Sequence, residues 1–318
     1  MMRLIPLFGI FLLFTHDGFC AIPTKSPKAT PPRPITPLEE RVIEIDGRPA
    51  SVAMDGDTMY ISVIGKEMNL TKDDEDGAIY VLKPGETSPV KLTRDGEFSA
   101  PKGIAVDKDF IYVTDIDALY VLDKEEGKMQ SYASFASDGP LSYINDLVLL
   151  GDGRIIVSCT DNNKIYICDP RTKSYSEIVT KLPLNHPTGL AWDAENKLLY
   201  VVESASIKEG NKEVPCGRLL TVNISTGATS VISTNFDQMK GLFNGIALKD
   251  GEVYFCDWSK NKLPEAIRKL NLKSNKVSKL ARASMTGVSD FIIRGNQYIA
   301  PSMEDRKIYI ANLPKEKR

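Results

Sequence analysis

Residues 144–161 read INDLVLLGDGRIIVSCTD. Two strand-length apolar runs flank Gly-Asp-Gly, the signal of a tight hairpin turn, and the second run closes near an acid. NKIYICD (163–169) then supplies a third strand and SEIVTKL (176–182) a weaker fourth. The same order of signals recurs along the chain. PASVAMDGDTMYIS starts at Pro49, PKGIAVDKDFIYVTD at Pro101, HPTGLAWDAENKLLYVVES at His186, FNGIALKDGEVYFCDW at Phe243 and VSDFIIRGNQYIAPS at Val288. Aligning Ser51, Gly103, Asp146, Gly189, Gly245 and Asp290 gives spacings of 52, 43, 43, 56 and 45 residues. Four short strands in a repeat of this length define a β-propeller blade, so the sequence predicts an all-β, six-bladed β-propeller. There is no GH…WD pairing, which sets it apart from WD40 arrays. The extra length of the fourth copy, SASIKEGNKEVPCG (204–217), falls in one loop.

The sixth copy lacks a fourth strand, because the chain ends soon after Leu313. RVIEID (41–46) has no partner in its own neighbourhood. It is therefore expected to pair beside KIYIANL (307–313) and close the ring, which also protects two sheet edges.

The 318 residues carry 40 basic and 42 acidic side chains, a balance that leaves no field to gather a polyanion and argues against nucleic-acid binding. Met1-Met2-Arg3 precedes an apolar run of 11 residues, too short for the roughly 20 needed to span a bilayer. It reads as a secretory signal covering residues 1–20, with cleavage after Cys20. Residues 21–40 carry six prolines and read as an extended spacer, leaving 41–318 as the propeller. No later segment is apolar enough to cross a membrane. The expected product is extracellular and monomeric, with N-glycosylation acceptors at Asn69 and Asn223.

Export removes His16 and Cys20, leaving His186 and four cysteines. An even number of cysteines in an oxidising compartment allows two bridges. Cys216 and Cys256 are expected near one rim of adjacent blades, where a disulfide would pin the long loop. Cys159 and Cys168 flank a hairpin, and either bridge or stay as buried thiols. Trp192 reads as packing between blades.

In a propeller the first strands line the central channel and their starts converge on one rim, which suits a ligand site. Those starts are Ser51, Lys102, Asn145 with Asp146, Thr188, Asn244, and Ser289 with Asp290. Lys102, Thr188 and Trp258 are the candidate ligand-binding residues. Asp115, Asp161, Glu203 and Asp257 close second strands near the same rim and read as ties between loops and blades.

The motifs of blades three to five resemble the SMP-30/gluconolactonase/LRE-like family, with its strictosidine-synthase and paraoxonase relatives. The resemblance implies a divalent ion, usually Ca2+, held over the channel by Glu, Asn and Asp. Here Asn145, Asn244 and Asp290 would hold the metal, with Asp146 or His186 as base in lactone or ester hydrolysis. Two departures weigh against that chemistry. Thr188 stands where the family has Asn, and GRPASVAMD in blade one lacks the family's Glu-Gly-Pro. A single His also cannot supply the paraoxonase-type pair. VYFCDWSKN and FIYVTDID resemble the YWTD blades of lipoprotein-receptor propellers, which are non-catalytic binding modules. The favoured expectation is a secreted propeller binding a small molecule or extracellular protein at the channel mouth; the runner-up is a Ca2+-dependent lactonase or esterase.

Overall fold

The structure is a computed structural model that describes residues 39–134, 143–232, 241–258, 267–280 and 285–314. The expected signal segment and residues 21–38 of the spacer lie outside the described residues.

The strands form six four-stranded antiparallel sheets. β1 (Arg41–Glu44) precedes blade one, which is β2 (Pro49–Asp55), β3 (Thr58–Val63), β4 (Ala78–Leu82) and β5 (Val90–Lys91). Blade two is β6 (Pro101–Val106), β7 (Phe110–Asp115), β8 (Ala118–Asp123) and β9 (Met129–Ser134). Blade three is β10 (Ile144–Leu149), β11 (Ile155–Cys159), β12 (Lys164–Asp169) and β13 (Ser174–Glu177). Blade four is β14 (Pro187–Asp193), β15 (Leu198–Glu203), β18 (Leu219–Asn223) and β19 (Thr229–Val231). Its long loop folds into a separate hairpin, β16 (Ser206–Glu209) with β17 (Lys212–Pro215). Blade five is β20 (Phe243–Lys249), β21 (Glu252–Asp257), β22 (Ile267–Asn271) and β23 (Lys276–Lys279). Blade six is β24 (Ile292–Arg294), β25 (Gln297–Ser302) and β26 (Lys307–Asn312), completed by β1. The six-bladed propeller expected from the repeats is the fold of the chain.

The ring closes as expected. β1 runs antiparallel to β26 with Arg41 opposite Ile310 and Glu44 opposite Lys307. Alternation decides the register, because Ile43 and Ile45 turn into the protein while Val42 is 52% exposed. A Lys307–Glu44 ion pair at 3.3 Å lies on the outer face.

Apolar burial is organised between blades rather than within them. Ile43, Ile299 and Ile308 of blade six pack on Val52, Met59 and Ile61 of blade one. Comparable clusters fill each of the other seams: one–two, two–three, three–four, four–five and five–six. Trp192 packs partly buried against the three–four seam, as its place in the repeat suggested.

No disulfide joins the four described cysteines: the expected Cys216–Cys256 bridge is not formed, and Cys159 and Cys168 take the second of their two expected states, buried thiols. In the β11–β12 hairpin Cys159 faces Lys164 while Cys168 faces Ile155, four residues away along the strand. That offset is about 13 Å at the strand rise, against the roughly 7 Å limit between Cα atoms that a disulfide tolerates. Cys168 stays a buried thiol, with burial pushing it up to about 12. Cys256 turns towards blade six, away from Cys216, and has a different task described below.

Candidate functional site

Each first strand carries an irregularity at the same point. The register shifts between Pro49 and Ser51, Pro101 and Ile104, Ile144 and Leu147, Pro187 and Leu190, and Phe243 and Ile246. A bulge re-aims the side chains around it, here towards the channel. In blade six the equivalent segment before β24 pairs with β25 through the isolated bridge Val288–Ser302. The residues at these bulges are the ones the repeat alignment brought into one column.

A belt of hydrogen bonds ties the bulges into a ring. The Ser62 hydroxyl accepts the Ser51 N–H at 3.1 Å and donates to the Lys102 carbonyl of the next blade. The Thr114 hydroxyl accepts the Gly103 N–H at 2.8 Å and donates to Asn145 O at 2.7 Å. The Ser158 hydroxyl accepts the Asp146 N–H at 3.0 Å and donates to Thr188 O at 2.6 Å. In blade five the Cys256 thiol does the same, accepting the Gly245 N–H at 2.9 Å and facing Ser289 O at 3.5 Å. Blade four has Val202 where a hydroxyl would stand, and Thr188 fills the gap by donating to Phe243 O at 2.8 Å. Ser289 closes the circle by donating to Ala50 O at 2.7 Å. Residue reasoning missed this belt, although its signal is present: Ser62, Thr114, Ser158 and Cys256 recur just before the ends of second strands.

Glycine permits the close approach of the inner strands. A Cβ on Gly189 would sit 1.9 Å from Asn244 O, and one on Gly245 would sit 2.5 Å from the Asp290 Cα.

The ring surrounds a pocket of about 180 Å³ at the channel mouth. Lys102, Asn145, Asp146, Thr188, Asn244, Trp258 and Asp290 all line it. His186 is not among the lining residues; it is exposed on a loop at φ 52°, with Nδ1 2.9 Å from Asn185 Oδ1. The structure therefore gathers every expected ligand, metal and acid residue of the channel but leaves His186 outside.

The floor is acidic. Asp146 Oδ1 accepts the Leu147 N–H and Oδ2 the Leu190 N–H, both at 2.7 Å. Asp290 Oδ2 accepts the Ser51 hydroxyl. Both carboxyls keep some surface open to the pocket, yet protein crowds them on the other sides. Desolvation pushes Asp290 up to about 6, and desolvation with the neighbouring Asp290 charge pushes Asp146 well above the usual carboxylate range. The mouth is apolar: Leu70, Ile116 and Trp258 pack against Ala50, Ile64, Ala100 and Met303. Between floor and mouth lies Lys102, 3% exposed. Its ammonium donates to Ala100 O at 3.1 Å and Leu70 O at 3.2 Å and lies 4.4 Å from the Tyr143 ring centroid. Burial pushes its amine down to about 8.

The acids that close second strands hold loops. Asp115 accepts the N–H groups of Ser99 and Ala100 at 2.9 and 2.7 Å. Glu203 accepts the Asn185 N–H at 2.7 Å and pairs with Arg218, and Asp257 pairs with Arg268 at 3.2 Å. Asp161 is exposed.

A hard divalent cation takes six to eight oxygens, usually including carboxylates. Asn145, Asn244, Asp146 and Asp290 supply oxygen donors from three blades, and the charge causes acting on the two acids include no Lys or Arg. The donor chemistry fits such an ion. Among the described residues, however, no three of His, Cys, Asp and Glu gather into a metal-holding group, so asparagine oxygens would have to complete the set.

Ring and pocket together define a six-bladed propeller with a pocket at one end of its channel. The family model described as SMP-30/Gluconolactonase/LRE-like region matches residues 93–269, more than half of the chain, and the chain belongs to that family. No curated protein matches it in sequence. Among solved structures it is similar to virginiamycin B lyase from Staphylococcus aureus, with TM-score 0.56 and 17% identity over 87% of this chain and 100% of that one. The catalytically inactive form of the same lyase with quinupristin gives TM-score 0.55 at 17% identity, with the same coverage. A chain of the nidogen/laminin complex gives TM-score 0.53 and 17% identity, over 73% of this chain and 78% of that one. At these identities the likeness is one of fold.

Proposed function

We propose that the chain is an exported propeller glycoprotein that binds a small extracellular molecule in the channel-mouth pocket, without catalysis. The observation that carries this reading is the combination of an apolar mouth with a hydrogen-bonding floor, built from all six blades. Such a pocket offers contact area at the entrance and orientation at depth. The absence of His186 from the lining takes away one of the two bases that the sequence offered for hydrolysis and leaves Asp146. Both carboxyl oxygens of Asp146 are engaged by backbone N–H groups, which suits a structural or orienting role. Export is supported by the apolar N-terminal run. Glycosylation is supported by Asn69, in a loop, and Asn223, at the end of β18, both partly exposed at chain turns. Among the described residues no helix is long and apolar enough to cross a membrane.

Calorimetric screening of small organic molecules against the wild type and Trp258→Ala tests the reading. Saturable binding weakened about tenfold in the variant supports it, whereas binding untouched by the variant places the ligand elsewhere and overturns it.

One observation favours the alternative, a Ca2+-dependent lactonase: the two floor acids stand beside Asn145 and Asn244 without a charge partner. Asn145, Asn244 and Asp290 would hold the ion, which would supply Lewis-acid polarisation of a carbonyl. Lactone turnover that requires Ca2+ and is abolished in Asn145→Ala would establish that reading in place of the first.

A further inference from the structure

Lys102 is the one buried lysine among the described residues. Elsewhere in the propeller, shielded cationic side chains meet carboxylates: Lys124 meets Asp55 at 2.7 Å, Lys269 meets Glu252 at 2.8 Å and Arg268 meets Asp257 at 3.2 Å. Lys102 instead has two carbonyls and an aromatic face. Carbonyl dipoles and a ring quadrupole solvate an ammonium, but they bring no countercharge. The acids it senses, Asp115 and Asp161, act as through-space charges. Asp115 already spends both oxygens on the Ser99 and Ala100 N–H groups, and Asp161 is exposed. An ammonium has three N–H donors, and the protein carbonyls take two of them. The fold thus keeps a desolvated positive charge, with a donor to spare, on the wall of a pocket.

The floor acids do not serve as its partners. Asp290 takes the Ser51 hydroxyl and Asp146 takes two backbone N–H groups. An anion entering from the mouth would supply the countercharge that carbonyls and ring do not. The mouth is lined by Leu70, Trp258 and Met303, with Tyr143 beside the ammonium, so the entering molecule also needs apolar surface. A hydrated inorganic anion has none.

We propose that Lys102 is the anion subsite of the pocket and that its ligand is a small organic carboxylate. The carboxylate sits on the Lys102 ammonium, and its apolar body lies among Tyr143, Leu70, Trp258 and Met303. This rests on the channel mouth being a ligand pocket, and it names the ligand's chemical class. A charge-assisted N–H···O bond in a desolvated site is among the stronger polar contacts available, so charge rather than shape decides selection.

Isothermal titration of the full chain with phenylacetate and hexanoate, and with phenylacetamide and hexanamide as neutral isosteres, tests the proposal without altering the protein. The acids are expected to bind at least tenfold more tightly than the amides. In Lys102→Met the acids should weaken by 30-fold or more while the amides change less than threefold. Lys102→Arg should recover part of the acid affinity. Trp258→Ala should weaken acid and amide alike, which locates both at the mouth. If acid and amide bind the wild type equally, or if Lys102→Met binds the acids unchanged, the carboxylate assignment falls while the pocket reading stands. If neither acids nor amides bind the wild type, pocket and assignment fall together.

Discussion

Three side chains show how positions around the channel serve either the ring or the ligand. Thr188 departs from the family's Asn, and its hydroxyl supplies the blade-four link of the belt that Val202 cannot make. Thr188→Val should leave the Phe243 carbonyl without this donor and lower stability by about 1–3 kcal/mol, read by thermal unfolding. Cys256 performs the same duty with sulfur. Cys256→Ser should therefore cost less than Cys256→Val, which strands the Gly245 N–H, and reducing agent should not shift the wild-type Tm. A Tm drop on reduction would restore the bridge that the structure replaces. Lys102 lies on the other side of the balance. Burial pushes its amine down to about 8 from the usual 10.5, so the native state resists protonation. The sign follows: the charged amine costs stability at neutral pH, and the cost disappears as pH rises from about 8 towards 10.5. Lys102→Met should stabilise the fold at pH 7 and so raise Tm, with a gain of less than the roughly 3 kcal/mol of the full shift, because the Leu70 and Ala100 carbonyls lose their donor. The gain should shrink steadily up to pH 10. A variant that is destabilised at pH 7 and indifferent to pH would show that Lys102 is a structural tie.

At the scale of single elements, strand order and closure were legible because both depend on alternation. β1 announces itself by Ile43 and Ile45 two residues apart, and the missing fourth strand of blade six leaves one place for it. The bulges were legible as a column of small or acidic residues, although the column did not reveal a register shift. What the sequence hid was the partner of each polar atom. Nothing local shows that the Ser158 hydroxyl belongs to Thr188 O of another blade, or that Cys159 and Cys168 are offset by four residues in one hairpin. Those facts depend on pairing register, which is a property of two strands rather than one. Closure has a measurable consequence. Ile43→Ala removes a fully packed side chain from the six–one seam and should cost about 2–5 kcal/mol. Trimming the chain at residue 48 removes the whole of β1 and should lower Tm further. A truncated chain that melts with the intact one would mean that β26 needs no cover.

At the scale of the molecule, the six repeats make one ring, and the reason is where the apolar side chains go. Among the described residues no blade owns a core; each seam is filled by two neighbours, and six seams complete the circle. A blade that opens exposes both of its seams, so its neighbours lose one face each. In an open array such coupling lets the ends fray, because terminal units have a single neighbour. The β1–β26 pairing removes the ends. The intact chain should therefore unfold in urea as one transition, with the fluorescence of Trp192 at the three–four seam and of Trp258 at the mouth coinciding with far-UV circular dichroism. Cutting the ring should separate them. Without residues 39–48 the six–one seam becomes two ends, and loss of strand signal should begin at lower urea than the change at Trp192, which lies far round the ring. Two resolved transitions in the intact chain would mean that half the ring holds together alone, against the distribution of its core. Coincident probes in the truncated chain would mean that seam packing alone, without the closing strand, supplies the cooperativity.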